Sequence, residues 1–439
     1  MSFFAGFQHL NKLFFKNKSR QRPKKIPNIA GSASDELFII FDFSCGRYYT
    51  HHSSYLKDYS DFLTAKNKQT CVWVNTSADK QVLDIFPGNI KPILRSNLYS
   101  HTSKDNFVLY FIDYFVNLSE RFRTSGIAKF LLRKYYLRSA IKEFKTHLPK
   151  HSSIKIIAPT LDGLGLRFVE EILKRYHKNI SLVSLRVTGA ERRSVFGVPN
   201  SLEVLKRLIH LYPSKIHLGF EVKALEAIIR SRGIPGKAIF WAPMPHVARS
   251  KQVGTNKSET AVPEIRLGFL GSGRPNKGFD NIPGILDELK EKKVNFKAFV
   301  QLPKFKWSEF ETTLSKLNER HSKAVIFLES GTSKLVLDQT IADMDLIVLP
   351  YRLENYKIAG SGILFLASDF GVPVAATKNL AFTWDIDQYQ LGFSFIDAAE
   401  FGQRILSLKH SNYDSKINVY NEARNNANTK FLGINTCSN

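Results

Sequence analysis

The sequence predicts an α/β protein made of two doubly wound halves. Short apolar runs of strand length alternate with helical patterns along most of the chain. That alternation stops at a polar, proline-flanked stretch near residue 248 and then starts again, and 439 residues are enough for two cores.

The elements read as follows. At residues 1–34, Phe3, Phe4, Phe7, Leu10 and Phe14 recur at helical spacing and are followed by KNKSRQRPKK, which carries cations and no acid. This reads as a basic amphipathic extension. The first half, residues 35–247, opens with LFIIFDF at Leu37, a helical stretch from Ser54 to Lys66 and the strand TCVWVN at Thr70, a βαβ beginning. SIKIIAP, ISLVSLRV, KIHLGF and AIFWAPMP supply further strands, with helices over EEILKRYHK and EVKALEAIIRSRG. Residues 248–263 read as a linker. The second half, 264–412, repeats the alternation with strands IRLGFLG, FKAFVQL, AVIFLE and DLIVLP. A polar, Asn-rich tail occupies 413–439, and NVYNEARNNANTKFL within it is compatible with a terminal helix.

Composition narrows the class of partner. Sixty-three Lys and Arg face 39 Asp and Glu, a net charge of +24, which attracts nucleic acid, anionic lipid or a phosphorylated substrate without choosing among them. Cys45, Cys71 and Cys437 have no paired spacing, so neither a disulfide framework nor a zinc site is expected, and the reducing cytoplasm fits. The longest apolar run, FVLYFIDYFVNL from Phe107, is broken by Asp113, so no spanning helix is expected, and because Phe residues precede the charges at the N-terminus, export is not expected either.

Two loops in the second half carry chemistry. After IRLGFLG come Gly271, Gly273, Arg274, Lys277 and Gly278, glycines that let backbone approach a phosphate beside cations that neutralise it. The alternative is an ordinary βα turn with solvated charges. After DLIVLP, residues Tyr351, Arg352, Glu354 and Tyr356 lead to Gly360, Ser361 and Gly362, where a helix start presents unpaired amides to an anion. Both loops fall at carboxyl ends of strands, where open α/β sheets bind ligands.

With these loops in this order, residues 264 to about 400 resemble the donor-binding domain of GT-B glycosyltransferases of the glycosyl transferases group 1 type. The resemblance rests on Arg274, Lys277 and Gly278 after the first strand and on the run from Asp345 to Thr377, with its G-x-P-V-x-x-T ending. It implies two Rossmann-like domains facing each other across a cleft, a nucleotide-sugar donor held by Gly273, Arg274, Lys277, Gly278, Tyr351, Glu354, Tyr356, Ser361 and Gly362, and base contacts near Glu329. One departure stands out. The glutamate pair of the common retaining subgroup falls on Ile358 and Leu366, so ribose recognition differs or Glu354 substitutes, and stereochemistry is left open. Two DxD triplets, Asp343 to Asp345 and Asp385 to Asp387, lack a metal-site context and are set aside.

In the first half the resemblance covers the order of elements and CGRYYTHHSSYL. It offers His51 or His52 as a group that donates to the transferred sugar or takes the acceptor proton, against a surface or capping role. Asp162 and Glu221, at strand ends facing the same cleft, are further candidates for the base, or serve helix dipoles instead. Between Arg121 and Lys150, cations flank an apolar stripe of Ile127, Phe130, Leu137, Ile141 and Phe144, which reads as a membrane-docking helix or as a core helix with a solvated side. The expected function is transfer of a sugar from a nucleotide-sugar to a glycan or lipid-linked acceptor in cell-surface polysaccharide or glycolipid synthesis. Neither metal nor bound cofactor is expected, and the enzyme would be peripheral on the inner face of the membrane. A basic nucleic-acid-binding protein, a nucleotide-sugar epimerase and a non-catalytic scaffold are the alternatives.

Overall fold

The computed structural model describes residues 36–45, 51–76, 78–86, 88–94, 126–148, 150–161, 163–187, 201–247, 249, 264–271, 273–303, 306–329, 332–410 and 412–434. The N-terminal extension, Asp162 and nearly all of the linker therefore lie outside the described residues. Residues Ser34–Asn439 form one compact unit.

Seven parallel strands make the first sheet: β1 (Glu36–Phe41), β2 (Gln69–Asn75), β3 (Ile90–Leu94), β4 (Ser153–Ala158), β5 (Ile180–Val187), β6 (Ile216–Phe220) and β7 (Ile239–Trp241), in spatial order β3-β2-β1-β4-β5-β6-β7. The helices between them are α1 (His51–Thr64), α2 (Lys80–Asp84), α3 (Gly126–His147), α4 (Gly163–Tyr176), α5 (Ser201–Leu211) and α6 (Lys223–Ser231). Helices cover both faces, so the central strands are apolar throughout; Leu37 to Phe41 are all buried. Full burial of each such side chain contributes about 1.5–3 kcal/mol.

The second sheet has six parallel strands: β8 (Ile265–Phe269), β9 (Phe296–Gln301), β10 (Val325–Leu328), β11 (Leu346–Leu349), β12 (Val374–Thr377) and β13 (Gly392–Phe395), ordered β10-β9-β8-β11-β12-β13. Its helices are α7 (Ile282–Glu291), α8 (Phe310–His321), α9 (Lys334–Ala342), the one-turn α10 (Leu353–Tyr356), α11 (Gly362–Asp369), α12 (Thr383–Tyr389) and α13 (Ala398–Arg404). Chain order reverses between β1 and β4 in the first sheet and between β8 and β11 in the second. These switch points open the crevices where ligands bind in doubly wound sheets.

Three findings differ from the sequence reading or add to it. β3 is an edge strand that contains Pro92, and a proline that costs nothing at a sheet edge erases the strand signal in the sequence. The tail is the 19-residue helix α14 (Tyr413–Phe431), which packs back on the first half. Its Arg424 is fully buried and donates to the carbonyls of Met244 and Pro245 (2.8 and 3.2 Å), to Ser368 Oγ (2.7 Å) and to Asp369 (2.9 Å), so that its charge is compensated from both halves. Phe431 accepts from Ser184 and His217 of the first sheet through its carbonyl. Arg249 adds an ion pair across the halves, to Asp58 of α1 at 3.1 Å and Asp338 of α9 at 3.0 Å.

The third finding concerns the apolar stripe of α3, of which the Ile127 and Phe130 side chains lie outside the described residues. Among the described side chains, Leu137, Ala140 and Phe144 belong to the core, Ile141 packs against it, and Arg138, Lys142 and Lys145 are exposed. Over its described side chains α3 is a core helix with a solvated face. No helix among the described residues is long and apolar enough to cross a membrane.

Candidate active site

At the second sheet's switch point the basic loop is fixed by backbone that only glycine tolerates. Gly278 has φ +67, and a Cβ there would stand 1.7 Å from the Pro350 carbonyl oxygen, so the loop lies directly against the end of β11. Gly271 and Gly273 also have positive φ, and the Gly271 amide donates to Gln301 Oε1 at 2.8 Å. The Arg352 amide donates to Asn276 O at 3.1 Å and the Arg352 guanidinium pairs with Asp280, which joins the two loops predicted from sequence.

Lys277 stands between them. Its Nζ donates to Tyr351 Oη at 3.1 Å and lies 4.7 Å over that ring. Burial of the amine pushes its pKa below the usual lysine range, the Arg274 charge adds to that, and Tyr356 opposes it. Among the described residues neither Lys277 nor the exposed Arg274 has a carboxylate at ion-pair distance. Tyr351 and Tyr356 pack with ring centroids 4.6 Å apart, and burial raises both phenols. Beside Tyr351, the buried Ser361 precedes α11 without capping it through its side chain. The space at Gly362 is open, since a Cβ there would meet nothing within 4 Å. Glu329 and Glu354 are exposed, and no bond ties their carboxylates to this cluster among the described residues.

The first sheet's switch point holds a second cluster. Asp42 follows β1, Thr160 follows β4, and His52 lies in the first turn of α1. His52 Nδ1 is 2.6 Å from Asp42 Oδ2, Thr160 Oγ1 donates to the same oxygen at 2.5 Å, and the Ser44 amide donates to Asp42 Oδ1 at 2.7 Å. Burial by itself would raise the Asp42 carboxyl, yet the charge and hydrogen bond of His52, with Thr160 and Ser44, hold it below the usual range. An ionised Asp42 keeps the proton of a neutral His52 on Nδ1 and makes Nε2 the basic nitrogen. The sequence offered His51 and His52 together. The structure gives His52 a buried carboxylate partner, while the His51 side chain lies outside the described residues.

Sequence reasoning missed Asp42 and Thr160. The available signal was a lone carboxylate closing the apolar run LFIIFDF at a strand's carboxyl end. Glu221 follows β6 and is 2% exposed. Its carboxylate lies 3.2 Å from Nη2 of the fully buried Arg186 and packs on Gly360, whose added Cβ would stand 2.6 Å from the Glu221 carboxyl carbon. The DxD carboxylates have local partners: Asp343 takes Gln339 Nε2, Asp345 the Arg266 amide, and Asp387 the Ser394 hydroxyl, while Asp385 is buried against Tyr420. No group of three or more His, Cys, Asp or Glu that could hold a metal occurs among the described residues.

No protein-family model matches the chain, and no curated protein matches it. Solved structures do. The backbone is similar to that of Anabaena HepE in complex with UDP and glucose, at 12% identity and a TM-score of 0.56 over 91% of this chain and 99% of that one. It is similar to the apo form of the lipopolysaccharide outer core galactosyltransferase WaaB, at 13% identity and a TM-score of 0.53 over 90% and 99%. A protein from Listeria monocytogenes assigned as a UDP-N-acetylglucosamine 2-epimerase matches at 10% identity and a TM-score of 0.50 over 90% and 91%. The chain has the GT-B fold, two Rossmann-like domains facing each other across a cleft. At such identities the likeness fixes the architecture, and the chemistry has to be argued from the site.

Proposed function

We propose that this chain transfers a sugar from a nucleotide-sugar to a glycan or lipid-linked acceptor. The observation that carries the reading is Lys277, a desolvated ammonium beside Arg274 with no described carboxylate to neutralise either, in the crevice where doubly wound sheets hold ligands. A diphosphate supplies the missing charge. The glycine loop lets its oxygens approach the backbone, and the uncapped start of α11 adds oriented amides at Ser361 and Gly362. In the transition state negative charge grows on the departing nucleoside diphosphate, and these fixed groups stabilise it without rearranging.

Across the cleft, His52 is held by Asp42 with Nε2 as the group that meets the reacting sugar, as proton acceptor from an acceptor hydroxyl or as a donor to the transferred ring. Glu221 has a weaker claim to the base, because its carboxylate is already engaged by the buried Arg186 at 3.2 Å. No metal or bound cofactor has a part in this scheme, since Lys277, Arg274 and the helix amides do the work of charge neutralisation. The solvated cations of α3 favour a peripheral position on an anionic membrane, consistent with a lipid-linked acceptor.

The test is a panel of UDP-, GDP-, ADP- and CMP-sugars incubated with the purified chain, with and without anionic liposomes, and read by nucleotide release and product mass. Nucleoside diphosphate release with a glycosylated product is the expected result. The reading falls if no donor is turned over or if Lys277→Ala leaves nucleotide affinity unchanged.

A further inference from the structure

One group of side chains has no part in the scheme above. α12 begins against the donor loop, where the Phe382 ring meets Tyr351 at 5.9 Å and Tyr356 at 6.2 Å and the Ala381 amide donates to Tyr356 O at 2.9 Å. From there it carries Trp384, Asp385 and Tyr389 to the boundary between the halves. Tyr389 stacks on Trp241 at the end of β7 (6.2 Å, 10°), meets Trp384 edge-on (6.4 Å, 86°) and contacts Tyr420 of α14 at 5.0 Å. The first sheet, the second domain and the last helix each contribute a ring. Trp384 is 42% exposed and Trp241 is half-buried, although large aromatic rings gain most when covered.

Two polar atoms beside these rings are left over. Asp385 is 1% exposed, and its Oδ2 accepts from Tyr420 Oη at 3.4 Å, while its Oδ1 has no hydrogen-bond partner. Trp241 Nε1 is equally buried and has none either. Unpaired buried polar atoms cost about 1–3 kcal/mol each, so each calls for a physical reason, and a bound partner that completes the bond is one. The place adjoins the loop that holds Lys277: Phe382, three residues before Asp385, packs on Tyr351 and Tyr356. Both polar atoms are covered where the halves meet, so a ligand reaches them only after the halves part.

A pyranose has an apolar face of C–H bonds and a rim of hydroxyls, and a site for it needs ring faces with a few hydrogen-bonding groups at their edge. We propose that Trp384, Tyr389 and Trp241 form a stacking shelf for a neutral sugar ring of the acceptor, with Asp385 Oδ1 and Trp241 Nε1 binding its hydroxyls. This rests on the glycosyl-transfer reading, to which it adds the acceptor's chemistry, a glycan already carrying at least one sugar.

The experiment uses the full chain with UDP present and lactose or maltotriose as probe, read by saturation-transfer-difference NMR, with UDP affinity measured separately by calorimetry. The wild type is expected to give enhancements on ring C–H protons. Trp384→Ala and Asp385→Asn weaken saccharide binding about tenfold or more and leave UDP affinity within about twofold, whereas Trp384→Phe retains most of the saccharide binding. Trp384 is exposed, so its variants report binding rather than folding, which circular dichroism confirms. The proposal is overturned if Trp384→Ala binds saccharide as the wild type does, if the wild type binds UDP but neither saccharide, or if Trp384→Ala loses UDP to the same degree, which would make the shelf a nucleobase platform. A wild type that binds no nucleotide overturns the glycosyl-transfer reading, and this inference with it.

Discussion

At the crevice between β1 and β4, the Asp42 carboxylate takes hydrogen bonds from Thr160 and Ser44 and holds His52 at 2.6 Å, so the cluster's charge is satisfied from within. At the crevice between β8 and β11, Lys277 meets a phenol and Arg274 meets solvent, and no described carboxylate answers either cation. The same architectural position therefore carries two chemistries. An internally paired cluster holds a proton acceptor in one tautomer and orientation, whereas an uncompensated one stores binding energy for an anion. In the proposed transfer the two clusters divide the work, one half holding the leaving group and the other addressing the sugar.

Substitutions at the two crevices should separate these roles. The largest effect is expected from His52→Ala, which lowers kcat by about 10²–10⁴-fold while leaving nucleotide affinity unchanged, as measured by steady-state kinetics beside calorimetry. A comparable loss of nucleotide affinity would erase the division of labour. Lys277→Ala should weaken nucleoside diphosphate binding by about 10–10²-fold, the loss of one charge-assisted contact, with the deficit shrinking as salt is added. Asp42→Asn is expected to lower kcat about tenfold or more by releasing the His52 tautomer, again without a change in nucleotide affinity, and a shifted pH–rate profile distinguishes this from simple misfolding.

The smallest effects concern stability and pH, and two carboxyls carry opposite signs. Asp42 is depressed in the folded chain, so its contribution is fully present above the unfolded value of about 3.9 and is lost as pH falls through its folded value. Asp385 is pushed up to about 7, chiefly by burial and further by Glu221, against the Tyr420 hydrogen bond and the Arg424 charge. Its contribution is present below the unfolded value and is lost as pH rises towards the folded one. Thermal melts should therefore show Asp385→Asn gaining on the wild type between about pH 4 and 7, while Asp42→Asn loses ground over the range above pH 4. Parallel melts for both variants at every pH would mean that neither carboxyl is perturbed as described.

The glycine loop of the second half was the more legible in sequence, and particular residues show why. Gly271, Gly273 and Gly278 encode a loop by themselves because positive φ is a local property, and Lys277 lies within the same few residues. The strands LFIIF and LIVL were legible for a related reason, since burial on both faces leaves an uninterrupted apolar run. The cluster at the first sheet's switch point was not. Thr160 and Asp42 are 118 residues apart, and only the adjacency of β4 to β1 brings them together. The apolar side of α3 read equally well as a membrane face or a core face, because periodicity reports that a face is buried without saying in what. The Asn-rich tail looked solvated because Arg424 and Asn428 are polar, although both are buried with their hydrogen bonds made to Pro243, Met244 and Pro245 at the end of the first half and to α11.

By itself the sequence determined the two-half α/β architecture, the glycine-built basic loop and the helix start at Gly362, all of which follow from backbone preferences acting over a few residues. Only the tertiary structure decided that His52 is paired with Asp42, that Glu221 is engaged by Arg186, that α14 ties the halves together, and that Trp241, Trp384 and Tyr389 share one surface. Those facts depend on which strands and helices become neighbours. Strand order is set by how whole sheets and their covering helices pack, and no short segment of chain carries that information.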